Sequence, residues 1–196
     1  MEVPTTTHLK AAKRILQYIK GMIDFDLFYS SSNDFNLVGY SDSDWAGDLD
    51  ERKSTTGFVF YMGDTIFTWM SKKQPIVALS TCEVEYIAVT SCVCHAIWLQ
   101  NLLKELRLPQ EEPTKICVDN KSAITMTKNL VFHNRSKHID SRYHLIRDCI
   151  IRKDVQIEYV KTYDQVADIF TKPLKNEDFI RMRRLLGITN QVKRGC

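Results

Sequence analysis

The sequence predicts an α/β domain: a meander of three antiparallel strands, then helix, strand, helix, helix, strand and helix. Three observations predict it. Short runs rich in β-branched and aromatic residues follow one another at 35–40, 56–62 and 65–70, separated by turn residues. Ser80-Thr81-Cys82-Glu83 has the spacing of a capping box and opens the longest stretch of helical periodicity, which ends near Leu106 ahead of Pro109. Beyond it, brief strand patterns at Ile116-Cys117-Val118 and at Val155, Ile157 and Tyr159 alternate with amphipathic helical ones.

Taken in order, Thr5-Thr6-Thr7 offers an N-cap, and Leu9, Ala12, Ile15, Leu16 and Ile19 recur at helical spacing up to Gly21. A short apolar run from Phe25 to Tyr29 and a Ser/Asn turn precede the first strand of the domain proper, Leu37 to Tyr40, which breaks into acid at Asp42 and Asp44. The strands at 56–62 and 65–70 meet at Gly63-Asp64, a two-residue link typical of a tight hairpin. After the long helix and the strand at 116–118, Ser122 to Lys128 forms a short helix, and Ile139, Tyr143, Ile146 and Ile150 mark an amphipathic one. Thr162 caps a predicted helix running to Thr171, stopped by Pro173, and Phe179, Met182, Leu185 and Leu186 mark the last helix before a frayed 191–196.

With 196 residues and 44% apolar content the chain can bury one full core, and two large domains are not expected. No run approaches the roughly eighteen apolar residues of a membrane span, and the N-terminal residues lack a signal peptide's apolar stretch, so no membrane partner is expected. The six cysteines show no framework spacing and read as reduced thiols of an intracellular protein. The net charge of +3 hides an asymmetry. Residues 1–120 hold 11 Lys and Arg against 16 Asp and Glu, whereas 121–196 hold 16 against 8. Acids gathered in the first part and bases in the second fit metal-binding carboxylates facing a polyanion, although a solvated basic tail gives the same count.

Among the acids, Glu85 is the informative one. It shares a helical stripe with Ala88, Val89, Cys92, Ala96, Leu99 and Leu103, and a glutamate on the buried face costs several kcal/mol unless something positive or a hydrogen-bond network receives it. Glu83 is explained by the cap. Asp42 also suits a turn, Asp119 an N-cap and Asp168 a solvated helix face, yet all four reach elements that can converge on one side of a sheet. Hard oxygen ligands without a Cys/His set suit Mg²⁺ or Mn²⁺, and two such ions about 4 Å apart would activate a water and stabilise a leaving oxygen. Calcium in an EF-hand is disfavoured because Ala46 and Lys53 fall where oxygen ligands belong, and Cys92, Cys94 and His95 give no workable zinc geometry.

Tyr40-Ser41-Asp42-Ser43-Asp44-Trp45-Ala46-Gly47-Asp48, Arg52-Lys53-Ser54-Thr55-Thr56-Gly57, Leu79 to Tyr86, Val118-Asp119-Asn120-Lys121-Ser122-Ala123, Lys137-His138-Ile139-Asp140 and Ala167-Asp168-Ile169-Phe170-Thr171-Lys172-Pro173-Leu174 occur in the order in which similar motifs stand in one family. They resemble the ribonuclease H domain of copia-type LTR retrotransposon Pol polyproteins. The resemblance implies a five-stranded mixed sheet with helices on both faces and a short helix-strand extension. It divides the chain into 1–34, the end of the reverse transcriptase and its connection, 35–175, the ribonuclease H-like domain, and 176–196, a C-terminal helix and tail. It further implies a two-metal hydrolase that cuts the RNA strand of RNA:DNA hybrids. Asp42 would bridge two Mg²⁺ ions, with Mn²⁺ as a substitute, Glu85 and Asp119 would hold one, and Asp168 the other. The expected partners are the hybrid and the polymerase part of the same polyprotein. The expected place is cytoplasmic, in the element's virus-like particle, with the nucleus as the alternative.

Asn120 and Ser122 beside Asp119, and Lys137, His138, Arg142 and His144 on the basic helix, are the expected nucleic-acid contacts, against a solvated basic face as the plain reading. Lys161-Thr162-Tyr163-Asp164 carries no His where cellular ribonucleases H have one, so a slow enzyme is expected. The alternative function is a non-catalytic retrotransposon remnant that binds nucleic acid or a polymerase partner.

Overall fold

A computed structural model describes residues 3–29, 34–48, 50–128 and 137–190, with only the backbone described for 128 and 137–143. In chain order the elements are α1 (Thr6–Gly21), β1 (Phe25–Leu27), β2 (Leu37–Ser43), β3 (Thr55–Met62), β4 (Thr65–Lys73), α2 (Thr81–Glu105), β5 (Thr114–Val118), α3 (Lys121–Lys128), α4 (Lys137–Ile151), β6 (Val155–Tyr159), α5 (Asn176–Leu185) and β7 (Ile188–Asn190). Five strands form one mixed sheet in the order β4-β3-β2-β5-β6. β2, β3 and β4 are antiparallel; residues 44–54 lie between β2 and β3, and Gly63 turns the tight β3–β4 hairpin at φ +57°. Helical crossovers make β5 parallel to β2 and β6 parallel to β5.

β3 lies inside the sheet and is apolar on both sides, so it divides the core in two. Phe58 and Phe60 point to one face, where they pack with Tyr86, Val89, Cys92, Val93, Ala96 and Leu99 of α2 and with Ile146 and Cys149 of α4. Val59 points to the other, with Ile66, Val166, Met182 and Leu186. α2 starts at the predicted cap: Ser80 Oγ accepts from the Glu83 amide at 3.2 Å, and Glu83 Oε2 accepts from the Leu79 amide at 2.7 Å. By length and composition alone α2 could cross a membrane, but its apolar stripe is packed on the sheet and carries Glu85. The five described cysteines are all free thiols.

Beyond the length of β2, two features differ from the sequence expectation. The helix predicted from Thr162 to Thr171 is a pair of 3-10 turns, Thr162–Asp164 and Val166–Phe170. The side chain of Gln165, between them, accepts from the Ala167 amide at 3.2 Å, a local bond that caps the second turn and replaces a continuous α-helical ladder. The second difference joins the chain's two flanking segments. β1, within 1–34, pairs antiparallel with β7, within 176–196, and Leu27 and Ile188 pack onto the second core. α1 buries nothing; Leu9, Ile15, Leu16 and Ile19 are exposed, and its contact with α5 runs through Tyr18 against Phe179, ring centroids 6.4 Å apart.

Candidate metal centre

Three of the four predicted acids converge. Asp42 stands inside β2, which continues through Ser43 instead of breaking at the acid, and β2 faces the start of α2 and neighbours β5. Glu85 comes from the first turns of α2 and Asp119 directly follows β5. One carboxylate oxygen from each lies within 4.8 Å of the other two, with Asp42 and Glu85 buried and Asp119 partly exposed. The N-cap role open to Asp119 in sequence is filled by its neighbour: Asn120 Oδ1 accepts from the Ala123 amide at 3.0 Å. Asp119 is thereby left to face the cluster.

Asp168 enters on the 3-10 turn packed against β2 and β3, and is also buried. Gln165, fully buried, holds that turn to the sheet by donating from Nε2 to the carbonyls of Ser41 at 3.0 Å and Cys117 at 3.4 Å. Thr171 Oγ1 donates to Asp42 Oδ2, and Lys172 Nζ stands 2.8 Å from Asp168 Oδ1 and 3.7 Å from Asp42 Oδ2. Among the described residues Asp168 Oδ1 has no other partner of ordinary hydrogen-bond geometry. Thr171 and Lys172 were not among the residues expected from sequence. The signal available was their place three and four residues after Asp168, which puts them on the same side of a helical turn.

Burial dominates the electrostatics. It pushes Glu85 up to about 9, with the nearby Asp42 and Asp119 charges adding to the rise. It pushes Asp42 up to about 7, and the Asp168 charge reinforces it while Lys172 and the Thr171 hydroxyl oppose it. For the Lys172 ammonium burial works the other way, but the Asp42 and Asp168 carboxylates outweigh it and raise its pKa. Among the described residues the buried Glu85 Oε2 has no hydrogen-bond partner. A buried oxygen without a donor, beside two more carboxylates, gives a set of hard donors able to receive a cation. All donors are hard oxygens, so the set fits Mg²⁺ or Mn²⁺ and not a thiolate-seeking metal.

The expected nucleic-acid residues are placed as follows. Asn120 is at the head of α3 with its carbonyl used by the cap; Ser122 is exposed on α3, and His144 is exposed on α4. The side chains of Lys137, His138 and Arg142 lie outside the described residues, although all three belong to α4.

No family model matches the chain. It is 40% identical over 189 residues, 96% of its length, to the Retrovirus-related Pol polyprotein from transposon RE1 of Arabidopsis thaliana, of which it spans 13%. It is also 40% identical over 188 residues, again 96% of its length, to the Retrovirus-related Pol polyprotein from transposon TNT 1-94 of Nicotiana tabacum, of which it spans 14%. The chain therefore corresponds to a small part of the curated relatives it matches. In fold it is similar to the crystal structure of RNase H1 from the halophilic archaeon Halobacterium salinarum NRC-1, with a TM-score of 0.51 at 14% identity, covering 74% of this chain and 98% of that one. With the mixed sheet, the long helix on it and the acids at one end of β2 and β5, these similarities agree: the chain belongs to the copia-type retrotransposon Pol polyproteins, as their segment with a ribonuclease H fold.

Proposed function

We propose that the chain is a divalent-metal-dependent endonuclease that hydrolyses the RNA strand of an RNA:DNA hybrid during reverse transcription, beside the polymerase part of the same polyprotein and within the element's cytoplasmic particle. The observation that carries this reading is the convergence of Asp42, Glu85 and Asp119, oxygens within 4.8 Å of one another, on a ribonuclease H fold. Asp42, Glu85 and Asp119 would hold one ion, and Asp42 with Asp168 a second. When bound, such ions supply the positive charge that a phosphodiester's developing oxyanions need, and they acidify water.

The chain's own residues set the geometry of that centre. The Thr171 hydroxyl fixes one oxygen of Asp42. Gln165 ties the turn bearing Asp168 to β2 and β5, so the last acid is positioned by the sheet and not by a free loop. Asn120 takes over the cap and releases Asp119. The excess of bases after residue 120 supports binding of a polyanion, with His144 on α4 available to a phosphate and Ser122 on α3 to a sugar or phosphate.

The test is cleavage of a hybrid carrying a labelled RNA strand. Mg²⁺ should support cutting, EDTA should stop it, and Mg²⁺ added back should restore it. Asp42→Asn and Asp119→Asn should each abolish cutting while leaving the far-ultraviolet circular dichroism unchanged. A folded Asp42→Asn variant that still cuts would contradict the proposed site.

A further inference from the structure

The four carboxylates are not served alike. On the Asp168 side the cleft already contains a cation. Lys172 Nζ lies 2.8 Å from Asp168 Oδ1 and 3.7 Å from Asp42 Oδ2. On the Glu85 side the described residues place no cation in ion-pair contact: Glu85 Oε2 is buried without a hydrogen-bond partner, its neighbours Asp42 and Asp119 are acids, and the Lys172 charge reaches it only from the Asp168 side. Asp42 belongs to both sides, with Oδ2 also accepting from Thr171.

Lys172 is held at its root and free at its tip. Its amide donates to the Asp168 carbonyl at 3.2 Å, Thr171 before it donates to the same carbonyl at 3.2 Å, and Pro173 follows it. The backbone therefore keeps the stem pointed at Asp168. The side chain is 37% exposed, so the ammonium can leave to solvent along a flexible four-carbon stem without unfolding the turn.

We propose that Lys172 is a built-in counter-cation of this centre, holding the Asp42–Asp168 half closed, so that a first divalent ion enters at Asp42, Glu85 and Asp119 and a second enters only by displacing the ammonium. The inference rests on the metal-dependent reading above. Ammonium and divalent ion compete for the same two carboxylates, and both cannot occupy them at close range because like charges a few ångströms apart in a buried site repel strongly. A hybrid offers the displaced ammonium a new anion, a backbone phosphate, so loading of the second ion is coupled to substrate binding. Lys172 is in this sense a positioning residue that orders the assembly of the site.

The experiment counts Mn²⁺ bound to the full chain, without nucleic acid, from the paramagnetic resonance of the free ion, with thermal melts in EDTA alongside. Wild type and Lys172→Arg should bind one ion well and a second at least about tenfold more weakly. Lys172→Met should bring the second affinity up by about tenfold and lower the melting temperature in EDTA, with Mn²⁺ restoring it. Should Lys172→Met fail to fold, Lys172→Gln serves the same comparison. A merely structural lysine would change the melt and leave the second affinity where it was, and that result overturns the proposal. So does a wild type that binds two ions equally. A folded wild type that binds no Mn²⁺ at all removes the metal-dependent reading as well, which separates the two failures.

Discussion

Glu85→Gln is expected to cut hybrid cleavage by on the order of 10²–10³-fold, the loss typical when one part of the electrostatic stabilisation of a developing oxyanion is removed, here the charge that holds an ion, and at the same time to make the metal-free protein more stable at pH 8. The two effects have one cause, a carboxylate kept buried for a cation. In the fold Glu85 holds its proton to about 9 and Asp42 to about 7, whereas the unfolded chain releases both near 4. Between those values the folded state binds more protons than the unfolded one, so the free energy of unfolding falls as pH rises. The contribution is fully present below about pH 4 and is lost through pH 7 for Asp42 and pH 9 for Glu85. A neutral amide removes the Glu85 share. At pH 8 in EDTA the gain should be about 1–3 kcal/mol, or several degrees in melting temperature. Mn²⁺ should stabilise wild type more at pH 8 than at pH 5, and the variant less. Melts across pH 5–9 with and without Mn²⁺ check the sign, and a variant less stable than wild type at pH 8 would contradict the account of Glu85.

Gly57→Ala is expected to be the most damaging single-methyl change on the opposite side of the centre. Gly57 of β3 pairs with Asp42 of β2, and the turn bearing Asp168 lies directly on it. A Cβ there would come within 2.6 Å of Thr171 Cγ2, 2.9 Å of Phe170 Cβ and 3.2 Å of the Ala167 carbonyl oxygen. The last of these is backbone and the first two are bound close to it, so the turn as a whole must lift. That overpacking should lower stability by about 2–3 kcal/mol and break the Thr171–Asp42 hydrogen bond, weakening ion binding on the Asp168 side. Gly21→Ala is the control, because a Cβ there meets nothing within 4 Å. Denaturant unfolding and Mn²⁺ titration of both variants measure the contrast.

The sequence carried the parts of this fold that are encoded by local periodicity. The hairpin at Gly63-Asp64, the cap at Ser80 and the placing of Glu85 on the packed face of α2 all follow from spacing, and the structure has each of them. It did not carry the parts decided by neighbours distant in the chain. Ala167, Ile169 and Phe170 around Asp168 suit a helix as well as a 3-10 turn, and the Gln165 side chain, bonded to β2 and β5, accompanies the second form. Asp119 and Asn120 are both good caps, so adjacent residues with equal propensity could not be ranked before the fold showed Asn120 at the amide of Ala123. The short strand expected within 25–29 is present as β1, but β7 is three residues, too short for an alternation to register, and the two pair only because the chain's flanking segments meet on the second face of the sheet. Lys172 showed only its spacing from Asp168, and a lysine four residues after an acid is ordinary until the acid is buried and another stands beside it.

The most direct measurement is cleavage of four labelled substrates, an RNA:DNA hybrid, double-stranded RNA, double-stranded DNA and single-stranded RNA, by the folded chain in Mg²⁺, Mn²⁺, Ca²⁺ or EDTA. A nuclease that attacks a ribose-linked phosphate while a groove fitted to a deoxy strand excludes a second ribose strand can read the 2′-OH on one strand and its absence on the other. Only the hybrid should be cut, at a modest rate given the missing loop histidine and only with Mg²⁺ or Mn²⁺. Ca²⁺ should permit binding without efficient cutting, because its longer, looser coordination holds the reacting oxygens poorly. Binding of the hybrid by the folded chain with no cut in Mg²⁺ or Mn²⁺ would contradict the enzymatic reading and leave a nucleic-acid-binding remnant in its place.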